Sequence, residues 1–298
     1  MSNLAEIPMQ VESDTSTAMM EEIPQALETK VKVALTGTPE TTLVPLIAKS
    51  LDAKHPKPLL QDVWAKSVLQ KLDHDTSKYL IGDQERVTYS QRARYFDNWT
   101  AEFLAEHPRA TVLHVACGLD SRCLRLKWAS SGVRWIDIDL PDVVALRRQL
   151  LPNPKGDYSL VGADVTEDKW LEQIPADRST VIVFEGLSMY LDEAVGHRLI
   201  QRLVGHFKTG QLLFDAIGSV VVYLQKMENP IMATGAKFVW GLDNPVELES
   251  LDSRLQLRDR LRPIEREGFS DYPHCLSTDS FRILMEMPTT ENIPTTLS

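Results

Sequence analysis

Residues 111–126 read TVLHVACGLDSRCLRL. Apolar and β-branched residues run into a small-residue turn, Ala116-Cys117-Gly118. An acid, Asp120, follows, and then a segment with helical spacing. Strand, tight turn and helix in that order present backbone N–H groups to a nucleotide-like ligand at the carboxyl end of a buried strand. The turn carries one glycine: where a dinucleotide loop has GxGxxG, the same register here is Ala116-x-Gly118-x-x-Ser121.

On the carboxyl side the pattern alternates. Strands are expected at 111–116, 133–138, 158–162, 180–184 and 211–217, with helices at about 119–129, 141–151, 168–174 and 192–207. Short apolar strands alternating with helices predict an α/β fold, a parallel sheet covered on both faces. Residues 219–235 read as a Met-rich helical stretch, and FRILMEM near the end closes the fold. On the amino side, Leu43, Leu46, Ile47 and Leu51 form one apolar face and Leu60, Val63, Trp64 and Leu72 another, with Pro56 and Pro58 between them. A further helix at about 85–105 leads into the first strand. The expected organisation is an arm over 1–37 and a single domain over 38–298. That domain has a helical front (38–108), a core (109–217) that resumes after a cap, and the cap itself at about 218–250.

The 298 residues are 43% hydrophobic and carry a formal charge of −10. An acidic chain with no basic cluster is a poor partner for nucleic acid or for an anionic membrane. Three cysteines (Cys117, Cys123, Cys275) form no CxxC and no even framework, which fits a reducing compartment. No basic start leads into an apolar run, and no stretch approaches about 18 apolar residues. These readings point to a cytoplasmic protein with a small-molecule partner.

Ligands of open α/β sheets bind at the carboxyl ends of the strands. There the first strand delivers Asp120, the second Asp137 and Asp139, the third Asp164 and the fourth Glu185. A rim this acidic is unfavourable for pyrophosphate. Asp139 lies 21 residues after Gly118, the spacing of an acid that accepts ribose hydroxyls. S-adenosyl-L-methionine carries a sulfonium and an ammonium and no phosphate, so an acidic rim suits it.

The runs VACGLDSR, RWIDIDLPDVVALRRQLLP, GADVTEDKWLE and VFEGLSMYLDEA resemble the leucine carboxyl methyltransferase family, and within it the polyketide O-methyltransferase branch. The resemblance covers about residues 38–250 in unbroken order. It implies a class I S-adenosylmethionine-dependent methyltransferase, a Rossmann-like sheet with helices on both faces, a helical front and a small cap insertion. It also implies cofactor contacts: Arg92, with Arg94 as a second candidate, for the methionyl carboxylate; Cys117 and Gly118 for the methionyl portion; Asp139 for the ribose. Asp164 and Val165 would contact adenine, and Glu185 the methionyl and ribose part. Two positions depart from the family pattern: Ala116 stands where glycine is usual and Leu124 where an aromatic is usual. If the backbone at 116 has positive φ, alanine strains it.

Methyl transfer from sulfonium is an in-line displacement, in which the protein supplies alignment and a dry site. No catalytic residue and no metal site stand out. His114 reads as core, His197 and His206 as helix-surface residues, and His274 in DYPHCLS as a loop residue that could line the site. With no evident base, a carboxyl acceptor is favoured over a phenolic hydroxyl. The acceptor pocket is expected from Tyr190, Trp240 and His274, with Met227, Met232 and Phe238. Rival readings are a hydrolase, from the near-miss GLSMY of a GxSxG elbow; a nicotinamide dehydrogenase; a non-methylating protein that keeps the cofactor pocket; and a methyltransferase acting on a protein C-terminus.

Overall fold

The structure is a computed structural model and describes residues 30–129, 132–225, 230–262 and 279–285. Seven strands form one sheet: β1 (Thr111–Val115), β2 (Arg134–Asp139), β3 (Asp157–Gly162), β4 (Thr180–Phe184), β5 (Gly210–Ala216), β6 (Leu255–Leu261) and β7 (Asp279–Met285). Their order is 3-2-1-4-5-7-6, and β7 runs antiparallel to both neighbours while the first five strands pair in parallel. β1 and β4 are buried along their whole length, which is why β4 reads as an unbroken apolar or β-branched run and β1 as one interrupted only by His114. β3 lies at the edge, and its burial alternates over most of its length. The strand order reverses between β1 and β4, so the carboxyl ends of β1, β2 and β4 frame a crevice.

Side chains of successive strand residues go to opposite faces. Leu113 and Val115 join Phe184, Phe214 and Phe281 in a core shared with Leu199, Leu203 and Phe207. The last three belong to or border α6 (Glu193–His206). Val112, Trp135, Val181 and Leu213 pack on the other side with Phe96, Trp99 and Phe103 of a 24-residue helix, α3 (Asp83–Glu106). The front also contains α1 (Leu43–Asp52) and α2 (Val63–Lys71), preceded by a 3-10 turn at Thr38–Thr42.

Several expectations shift. Leu43, Leu46 and Ile47 are buried as read, but Val63 is 66% exposed. Asp62 caps α2 by accepting the Ala65 N–H at 3.0 Å, which makes Val63 the first helical residue and turns Ala65 and Val68 inward instead. The helix after β1 is a single turn, α4 (Arg122–Arg125). α5 (Pro141–Leu150) matches its predicted span closely, whereas the segment after β3 is a 3-10 turn, Lys169–Gln173. The stretch after β5 is not one helix: α7 (Ser219–Leu224) and a 3-10 turn at Pro230–Thr234 are separate. β6, LQLRDRL, was not expected as a strand, because its three charged residues obscure the alternation of Leu255 and Leu257. The predicted arm, apart from residues from Lys30 onward, lies outside the described residues.

Candidate active site

The turn after β1 is held in a left-handed conformation: Ala116 and Gly118 both have φ of +51°. Glycine adopts this freely, and a Cβ built on Gly118 would stand 2.3 Å from Thr42 Oγ1. That hydroxyl accepts the Leu119 N–H at 2.9 Å, so the front and the loop meet over the missing side chain. At Ala116 the methyl clashes with its own backbone, a cost of about 1–2 kcal/mol. An Ala116→Gly variant, partly offset by glycine's greater unfolded-state entropy, is expected to gain roughly 0.5–1 kcal/mol and raise the melting temperature by a few degrees in calorimetry.

Asp139, at the end of β2, grips the same turn. Its carboxylate accepts the Gly118 N–H at 2.6 Å and the Leu140 N–H at 2.7 Å. It makes no ion pair among the described residues. Burial therefore outweighs the two backbone bonds and holds its carboxyl above the ordinary aspartate range. Asp164, after β3, uses one oxygen on the backbone N–H and hydroxyl of Thr166, at 2.9 and 2.7 Å. Arg147 of α5 braces the loop from below, donating to the carbonyls of Gly118 (3.0 Å) and Asp120 (2.6 Å). Its other amino group binds Asp137 at 2.6 Å.

The rim is thus less negative than its sequence suggests. Asp137 is fully buried between Arg147, Trp135 Nε1 and the Tyr158 hydroxyl, and does not line the crevice. Asp120 is paired with Lys49 and with Arg125 at 3.2 Å. Glu185 takes Arg92 Nε at 3.0 Å on one oxygen and Arg122 Nη2 at 2.6 Å on the other, with Lys49 Nζ at 3.8 Å. Burial alone raises the pKa of Glu185, but Lys49, Arg92 and Arg122 together hold it well below the usual carboxylate range. Asp139 and Asp164 are the rim acids without a cationic partner among the described residues. They remain able to accept hydrogen bonds from a ligand.

A cavity of about 290 Å³ opens at this crevice. Arg92, Cys117, Gly118, Asp139, Asp164, Val165 and Glu185 all line it, so the fold brings together the seven expected cofactor residues. Arg94 does not line it. The thiols of Cys117 and Cys123 are buried, and burial pushes both well above the ordinary range, so they are inert. The lining also includes apolar residues and a few hydroxyls: Pro39, Leu46, Met189, Ile217 and Phe238, with Thr41, Tyr89 and Tyr190. Tyr190 lines it as expected, and burial keeps its phenol protonated, a donor and not a base.

Two acceptor-pocket expectations change. Trp240 does not line the cavity: its ring lies on α6, where a Cβ on Gly196 would come within 2.2 Å of it, and stacks edge-on against His197. The Met189 carbonyl accepts the backbone N–H of Trp240 at 3.4 Å. Met232 is also off the cavity, and His274 and Met227 lie outside the described residues. His114 is core, as read, but it also borders the cavity, with Arg122 Nη1 at 3.2 Å. Ser188, the candidate nucleophile of a hydrolase, is buried and donates its hydroxyl to the Asp215 carbonyl at 2.5 Å.

Sequence reasoning missed Lys49, Arg122, Arg125 and Asp215. Lys49 sits one turn after Leu46 on a face otherwise apolar, and Arg122 and Arg125 are spaced i, i+3 directly behind the glycine turn. Buried cations at such places were the available signal. Among the described residues, no three His, Cys, Asp or Glu are grouped to hold a metal, and no helix is long and apolar enough to cross a membrane.

Comparison with known proteins agrees with this geometry. A family model for leucine carboxyl methyltransferase matches residues 43–204, over half of the chain. The tetracenomycin polyketide synthesis O-methyltransferase TcmP of Streptomyces glaucescens is 39% identical over 239 residues, 80% of this chain and 88% of that one. The S-adenosyl-L-methionine-dependent methyltransferase dpfgK of Gibberella zeae is 37% identical over 253 residues, 78% of this chain and 84% of that one. Among solved structures, a DUF574 family protein from Streptomyces avermitilis shares the fold with a TM-score of 0.52 and 11% identity, covering 81% of this chain and 97% of that one. The chain belongs to the leucine carboxyl methyltransferase family and is an S-adenosyl-L-methionine-dependent methyltransferase.

Proposed function

We propose that the chain methylates an oxygen, preferentially a carboxylate oxygen, of a small aromatic or polyketide-like acid. The carrying observation is that, with Asp139 and Asp164 given to the donor, the titratable groups of the acceptor side among the described cavity residues are already engaged. Lys49, Arg92, Asp120 and Glu185 are tied to one another in ion pairs, His114 faces Arg122, and the Tyr190 phenol keeps its proton. A carboxylate needs no base, because it is ionised at neutral pH. The apolar lining, with Pro39, Leu46, Met189, Ile217 and Phe238, suits a flat hydrophobic body. The Tyr190 phenol supplies a donor for its oxygens. The printed name of TcmP, a polyketide synthesis O-methyltransferase, supports this acceptor class.

The residues fit the donor: two unpaired carboxylates, Asp139 and Asp164, sit beside a glycine loop, and a guanidinium closes the other end. S-adenosyl-L-methionine, when bound, supplies an electrophilic methyl group on its sulfonium. Asp139 is assigned the ribose hydroxyls, Asp164 and Val165 the adenine, and Arg92 the methionyl carboxylate, a pairing that guanidinium geometry favours. Cys117 and Gly118 pass close to the methionyl portion. Glu185 has both oxygens occupied, so it acts by orienting Arg92. The front, through Pro39, Pro45 and Leu46, keeps water from the acceptor side.

The test uses purified protein, donor labelled in its methyl group, and aromatic acids paired with analogues that carry only a phenol. The expected result is label in the acids, released as methanol by mild base, because methyl esters hydrolyse and aryl ethers do not. Label confined to base-stable ether would assign the hydroxyl instead. Donor binding with no transfer to any acceptor would favour the non-methylating reading.

A further inference from the structure

Asp215 is the penultimate residue of β5, fully buried and outside the cavity lining. One oxygen accepts Arg92 Nη1 at 2.9 Å, and the other accepts the Gly186 N–H at 2.6 Å. Its own carbonyl takes the Ser188 hydroxyl. One residue therefore ties three things: a side chain from α3, the backbone just after β4, and the turn at 188–190.

The geometry fixes what is left of Arg92. Glu185 occupies Nε and Asp215 occupies Nη1, so the guanidinium plane is set from two sides. The remaining amino group, Nη2, stands beside Gly186, where a Cβ would come within 3.5 Å of it. Both Arg92 and Gly186 line the cavity. A guanidinium on an unbraced stem samples several rotamers; one clamped at two nitrogens delivers the third to a fixed place. Glu185 alone cannot do this, because a single hydrogen bond leaves rotation about it.

We propose that Asp215 is a positioning residue for donor binding: by clamping Nη1 it aims the free edge of Arg92 at the carboxylate of the donor's amino-acid tail. The inference rests on the reading of Arg92 given under the proposed function. It assigns Asp215 no contact with donor or acceptor.

Asp215→Asn tests it with little change of shape. Arg92 and Gly186 donate to different oxygens of Asp215, so an amide in the same place can serve only one of them and turns its amino group on the other. The full-length variant is titrated calorimetrically with two ligands. S-adenosylhomocysteine carries the amino-acid tail; 5′-methylthioadenosine shares the nucleoside and sulfur and lacks the tail. The expected result is a loss of about tenfold in affinity for S-adenosylhomocysteine, with 5′-methylthioadenosine unchanged. Binding of the second ligand also shows that the variant is folded. Equal loss of both ligands, or loss of neither, overturns the proposal. Arg92→Lys, measured in parallel, keeps the charge and removes the fork. If Arg92→Lys lowers the ratio of the two affinities and Asp215→Asn does not, Asp215 has no positioning role and the Arg92 reading survives. If Arg92→Lys leaves the ratio unchanged, the Arg92 reading itself falls, and Asp215 falls with it.

Discussion

An Arg122→Met variant is expected to lose about 3 kcal/mol of folding stability, a fall of roughly 6–12 °C in melting temperature for a domain of this size. Arg122 has no solvent exposure and binds Asp97 Oδ1 at 2.7 Å and Glu185 Oε2 at 2.6 Å. Methionine replaces the stem but takes the donor from Glu185 Oε2 and one of two donors from Asp97 Oδ1, which keeps Arg125 Nη2 at 3.0 Å. Removing one partner of a buried pair costs about 3–5 kcal/mol. The lower end applies, because Asp97 keeps Arg125 at 2.9 Å and Glu185 keeps Arg92. Arg134→Met is the contrast: its partner Asp177 is 57% exposed, and such a pair contributes at most about 1 kcal/mol. Chemical denaturation of both variants checks the difference, and equal losses would remove the network from the stability argument.

The same network has a pH signature. The folded pKa of Glu185 is depressed, so its contribution to stability is present above the unfolded glutamate value and is lost as pH falls below it. In Arg122→Met that acid sensitivity is expected to be weaker, because one of the three cations that lower the pKa of Glu185 is gone.

The second large effect concerns the donor. Asp139→Ala is expected to weaken binding of S-adenosylhomocysteine about a hundredfold, since two hydrogen bonds to a charged acceptor contribute about 1.5 kcal/mol or more each. Part of that loss comes through the glycine turn, because the Gly118 N–H loses its partner at 2.6 Å. A pH titration isolates the direct share. The free carboxyl of Asp139 lies above the ordinary aspartate range, so its contribution to folding is present at low pH and is lost as pH rises through that raised value. Hydroxyl donors of a ribose favour the ionised form and reverse the balance. Affinity in the natural protein should therefore fall on acidification through the raised pKa of Asp139, and binding at a pH below that raised value should release a proton. In Asp139→Ala this dependence should be absent. Calorimetry in buffers of different ionisation enthalpy measures the proton, and unchanged affinity in the variant would remove Asp139 from the donor site.

The fold was legible where period and punctuation agree. The largely apolar β1 and β4, the glycine turn between β1 and α4, and the acids at strand ends were enough to predict a parallel sheet and the end that carries the site. All seven expected cofactor residues are cavity residues for that reason: each sits at or just past the carboxyl end of a strand, except Arg92, which the family resemblance supplied. Local pattern also sufficed for α5 and α6. It failed for β6, where Arg258, Asp259 and Arg260 interrupt the alternation, and for Val63, where a capping bond sets the phase of α2.

Sequence by itself determined that acids gather on one rim, because their positions follow strand length and a period of two. Tertiary structure alone decided what those acids do. Lys49 comes from α1, Arg92 from α3, Arg122 from α4 and Arg147 from α5, and each meets an acid many residues away in the chain. Such pairings depend on how helices cross the sheet, which no local spacing encodes. They neutralise Asp120, Asp137 and Glu185 and leave Asp139 and Asp164 to face the cavity. The backbone at Ala116 is of the same kind: its residue type disfavours a positive φ, and the folded turn holds one of +51°.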